Sequence, residues 1–74
     1  MEMRIIERNG LQFDNITRED GANIWHVYDM DDYNTSMIGE LKCTDERVDV
    51  VNFNGSMEVL SKLHYAFSPE LVTI

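Results

Sequence analysis

The chain has 74 residues, 43% of them hydrophobic, and its fourteen acids against six bases give a net charge of −8 and a pI near 4.4. That length holds one small domain, and the apolar fraction separates the chain from disordered sequences. The acidity excludes the basic surface on which direct nucleic-acid binding rests, and it opposes docking on anionic membranes.

A domain of this size buries only about 60% of the surface its unfolded chain exposes, so its core is thin. Cys43 is the single cysteine, which precludes an intramolecular disulfide and a cysteine-based metal cluster. A short domain without disulfides fits a reducing compartment. No apolar run has the length of a membrane span, and the first residues lack the apolar stretch of a signal peptide. The expectation is one cytoplasmic domain over residues 1–74, without membrane association, and the three N-x-S/T sequons at Asn15, Asn34 and Asn54 read as chance.

Taken in chain order, Arg4 to Arg8 and Leu11 to Ile16 flank Asn9-Gly10, the dipeptide best suited to the two positive-φ positions of a type I′ hairpin turn. A two-residue loop pairs Arg8 with Leu11 and Ile6 with Phe13, placing Ile6, Leu11 and Phe13 on one face. Thr17 to Ala22 reads as a polar connection containing a turn signal at Asp20-Gly21. Ile24 to Tyr28 follows as a central strand, with Trp25 and Val27 on one face and Ile24, His26 and Tyr28 on the other. A second polar connection runs from Asp29 to Thr35. Met37, Gly39, Leu41 and Cys43 then alternate with Ile38, Glu40 and Lys42 as a half-buried strand, and Val48 to Phe53 is rich in β-branched and aromatic residues.

Only one stretch has helical periodicity. After Asn54-Gly55, Ser56 is a suitable N-cap and Glu58 lies where the helix dipole favours an acid. Val59, Leu60, Leu63, Ala66 and Phe67 form one apolar arc at about 100° per residue, with Met57 and His64 at its edge. Pro69 ends the helix, and Glu70 to Ile74 reads equally as an edge strand or a docked tail. The fold class expected is α+β: an antiparallel sheet of about five strands packed against one C-terminal helix.

No catalytic motif emerges. Cys43 falls on the apolar face of its strand, where cysteine behaves as a small hydrophobe. His26 and His64 read as structural, His64 as a partly buried packing residue. The four glycines are scattered and form no phosphate loop. Asp29, Asp31 and Glu40 take the first, third and twelfth positions of a calcium loop, but Tyr33 and Asn34 occupy the fifth and sixth, where a ligand and glycine are needed. No metal, cofactor or catalytic residue is expected.

Charge placement is more informative. Half of the net charge lies in residues 17–34, where five acids face Arg18 alone. Glu19 and Asp20 lie in one connection and Asp29, Asp31 and Asp32 in the next, with Tyr33, a residue type common in binding cores, beside them. These six residues are the candidate partner-binding set. Spaced carboxylates of this kind imitate nucleic-acid phosphates and suit a basic groove on a partner protein. In size, acidity and lack of a catalytic motif the chain is broadly similar to phage-encoded inhibitors that act as DNA mimics, including anti-CRISPR and anti-restriction proteins. That likeness implies a non-enzymatic inhibitor acting on a basic, nucleic-acid-binding protein. The alternative is a small interaction or assembly module, for example a homodimer formed through a sheet edge or the helix, with its acids serving only solubility.

Overall fold

A computed structural model describes residues 4–31, 37–67 and 70–73. These form strands β1 (Ile5–Arg8), β2 (Leu11–Glu19), β3 (Ala22–Asp29), β4 (Met37–Cys43) and β5 (Val48–Phe53), then helices α1 (Met57–Ala66) and α2 (Glu70–Thr73). The sheet is an antiparallel meander in the order β1-β2-β3-β4-β5, with both helices on one face. The expected α+β architecture is present.

The first hairpin has the register its turn dictates: Arg8 pairs with Leu11 and Ile6 with Phe13. Asn9 and Gly10 have φ of 50° and 77°, as a type I′ turn requires. The second hairpin repeats the device. Asp20 and Gly21 have φ of 49° and 79° and join Glu19 directly to Ala22. Thr17 to Glu19 and Ala22 to Asn23 are therefore strand, where their polarity suggests a loop. Polarity misleads here because Arg18 and Glu19 are exposed strand residues, whereas Asn23 across from Arg18 is buried with its amide bonded to the Val72 carbonyl.

Three bulges adjust which side chains face inward. One extra residue, Ile16, Ile38 or Val51, interrupts each of the ladders β2·β3, β3·β4 and β4·β5. The bulge in β4 reverses the simple alternation: Ile38 is buried while Met37 is exposed. The bulge in β5 keeps Val48 and Phe53 against the core despite their odd separation.

Leu11, Phe13, Trp25, Val27 and Leu41 form the floor of the core, and Leu63, Ala66 and Leu71 close it from above. Ser56 caps α1, its Oγ accepting from the Val59 N–H at 3.3 Å. The segment after Pro69 is a docked helical turn and not a strand. Buried Trp25 donates its indole N–H to the Leu71 carbonyl at 2.8 Å, and the Asn23 amide donates to the Val72 carbonyl at 3.0 Å. A buried indole needs an acceptor, and the last turn of the chain supplies it from carbonyls that its short helix leaves free.

Candidate functional site

The meander places successive turns at alternate ends of the sheet. Because Asn23 pairs with Cys43, the Asp20-Gly21 turn and the Thr44–Arg47 turn share one end. The Asn9-Gly10 turn and the exit from β3 share the other, where the Met30 N–H donates to the Gly10 carbonyl at 3.0 Å. Glu19 and Asp20 are thus separated from Asp29 and Asp31 by the length of β3, about 23 Å at the rise of a strand. The acids that sequence groups together are two groups in space. Asp32 and Tyr33 lie outside the described residues.

The two groups differ in state. Asp31 accepts a 2.8 Å ion-paired hydrogen bond from Lys62, and its own N–H is held by the Asp29 carboxylate at 3.0 Å. The hydrogen bond to Asp31 raises the Lys62 pKa, burial opposes this, and the charges of Asp31, Asp29 and Glu58 add to the rise. Asn9 donates to the Lys62 carbonyl at 3.0 Å. Asp31, braced by Asp29, therefore helps to fasten α1 to the exit of β3, and Asn9 fastens it to the first hairpin.

At the opposite end, Glu19 and Asp20 are exposed, and so are Asp45 and Glu46 in the next turn along the edge. The two turns lie two strand spacings apart, about 10 Å. None of these four carboxylates forms an ion pair with another described residue. Thr44 shapes the second turn, its Oγ1 accepting from the Glu46 and Arg47 N–H groups. Arg47 is paired with Asp49 at 3.0 Å. Asp45 and Glu46 escape a sequence reading because they are 25 residues from Asp20. Only the hairpin connectivity brings them alongside.

The nucleophile and base candidates do not meet. Cys43 is fully buried; loss of solvation, followed by the nearby Asp49 charge, pushes its thiol pKa up to about 11. His26 lies on the open face of the sheet, between Asp14 on β2 and Glu40 on β4, with its Nε2 3.5 Å from Glu40 Oε1. His64 is exposed on α1, its ring edge-on to Tyr65 and tilted against Phe67, where sequence suggests a partly buried packing residue. Among the described residues no group of three or more His, Cys, Asp or Glu side chains is placed to hold a metal ion. Nor is any described helix long and apolar enough to cross a membrane.

One concave feature lies away from these groups. Contacts from Lys62 to Asp31 and Asn9 hold α1 over the first hairpin, so the helix leaves part of β5 uncovered. The result is a groove of about 400 Å³ with Val50 on one side and Leu60, Tyr65 and Phe67 on the other. Its walls contain no carboxylate, although the chain has fourteen.

Comparison with protein-family models, curated proteins and solved structures finds no match.

Proposed function

We propose that this protein is a non-enzymatic inhibitor that binds a basic, nucleic-acid-binding partner in the cytoplasm as an acidic mimic of DNA. A phage-encoded anti-defence protein, of the anti-CRISPR or anti-restriction type, fits this description. The observation that carries the reading is the row of exposed, unpaired carboxylates Glu19, Asp20, Asp45 and Glu46 in two adjacent turns. Type I′ and Thr-braced turns fix the backbone from which these carboxylates project, which limits the ordering of the chain on binding and favours electrostatic recognition of lysine and arginine. Asp29, Asp31 and Asp32 contribute less in this reading, since Lys62 already offsets Asp31.

The test is affinity capture from lysate of the source organism or its host at low and high salt, with the captured protein identified by mass spectrometry. A nucleic-acid-binding protein that is released by salt, competed by duplex DNA and lost with Glu19→Gln/Asp20→Asn/Asp45→Asn/Glu46→Gln supports the proposal. Capture indifferent to salt and to that quadruple variant refutes it, and favours an interaction module whose acids serve solubility.

A further inference from the structure

Strand β5 ends the sheet: among the described residues it pairs with β4 alone, so the backbone groups of its outer side have no partner strand. Edges of this kind take up further strands unless they are blunted. The opposite edge is short and flanked by charge, since β1 has four residues and Arg4 and Arg8 both reach Glu70, at 3.6 and 2.8 Å. The β5 edge instead exposes Val50 at 41% and Val51 at 50%.

The groove lies on the helix side of that edge. A strand added beside β5 would turn alternate side chains onto the helix side, next to Val50 and facing Leu60, Tyr65 and Phe67. An unpaired strand edge together with an apolar trough beneath it fits an extended polypeptide better than a helix or a compact ligand. One end of the trough is acidic, because Asp45 and Glu46 precede β5; Glu58, in the first turn of α1, acts on Lys62 instead. Complementary chemistry is an apolar stretch of a few residues with lysine or arginine at the end that lies beside Asp45 and Glu46.

A second copy of the chain suits this edge poorly. It brings another −8 of charge, and the bulge at Val51 interrupts the regular ladder that open-ended pairing between copies requires. A bulged edge still accommodates a short strand on the Val48–Val50 side.

We propose that the β5 edge and its groove bind a short extended segment of a partner protein, apolar along the groove and basic at the end beside Asp45 and Glu46, as a sixth strand. This site shares Asp45 and Glu46 with the row of acidic turns but not Glu19 and Asp20, and its strand edge and apolar groove stand whether or not the protein mimics DNA. The probe is a fluorescein-labelled octapeptide with an alternating valine–threonine core and two lysines at each end, titrated by anisotropy. Saturable binding is expected, weakened at least tenfold by Val50→Lys and by Tyr65→Ala, the latter at a side chain 82% exposed and so dispensable for folding. Alternate backbone N-methylation of the peptide, which blocks strand pairing, and replacement of its lysines by glutamates should each weaken it as much. Glu19→Gln/Asp20→Asn should leave it unchanged, which separates this site from the Glu19–Asp20 turn. Absence of saturable binding up to millimolar peptide overturns the proposal, as does equal affinity for the N-methylated peptide. A protein dimer abolished by Val50→Lys and not displaced by the peptide also overturns it, assigning the edge to a second copy.

Discussion

Replacing Leu71 by alanine tests how the end of the chain is held. Leu71 is 1% exposed, and its carbonyl is the acceptor for the Trp25 indole. Leucine-to-alanine changes in cores cost about 2 to 5 kcal/mol, the larger values arising where the cavity cannot collapse. Here the leucine sits on a single helical turn that can shift inward or detach, so the expected cost is at the lower end, about 2 to 3 kcal/mol. A domain of this length has a total stability on the order of 4 to 11 kcal/mol, so the loss is a large fraction of it. Trp25 is the only tryptophan and is fully buried, which makes its emission a reporter of this contact. Urea unfolding followed by Trp25 fluorescence and by circular dichroism should show a lower midpoint for Leu71→Ala. Detachment of α2 should also shift the native emission to the red before the sheet unfolds. Met57→Ala, at a side chain 77% exposed, is the control and should fall within about 0.5 kcal/mol of the parent. A Leu71→Ala protein with parental stability and unchanged emission would refute the assignment of α2 as the lid over Trp25.

Other expectations follow from single features. Gly21→Ala should cost about 1 to 2 kcal/mol, read by thermal melting: a Cβ there meets nothing within 4 Å, so the cost is that of φ +79° alone. Asp20→Asn should leave stability nearly unchanged, because asparagine also tolerates positive φ, so that it removes a carboxylate without disturbing the turn. Ser56→Ala should cost about 1 kcal/mol by losing the cap of α1, measured by urea unfolding. For Cys43 the folded thiol pKa, about 11, stands above the ordinary 9.0, so the folded state holds the proton more tightly. Its contribution to stability is complete below pH 9 and lost as pH rises toward 11; Cys43→Ala should flatten that part of the stability–pH curve. A Cys43 that reacts with a disulfide reagent at pH 8 as fast as an unfolded control would contradict its burial.

Much of this architecture is readable from local chemistry. Asn9-Gly10 supplies two positive-φ residues and so fixes the first hairpin and its register, which in turn puts Ile6, Leu11 and Phe13 inside. Ser56 and the arc from Val59 to Phe67 define α1 because capping and helical periodicity are properties of neighbouring residues. The bulges are not readable in this way, since each depends on how a strand fits the one beside it. Ile38 is buried and Met37 exposed for that reason alone.

The candidate surfaces divide along the same line. Sequence determined the charge, the lone cysteine and the acidic stretch from residue 17 to 34. Tertiary structure alone decided that Asp29 and Asp31 stand at the opposite end of β3 from Glu19 and Asp20, that Lys62 engages Asp31, and that Asp45 and Glu46 lie beside Asp20 instead. Turns and caps are set over a few bonds, whereas charge pairing and an uncovered strand edge depend on where distant segments come to rest.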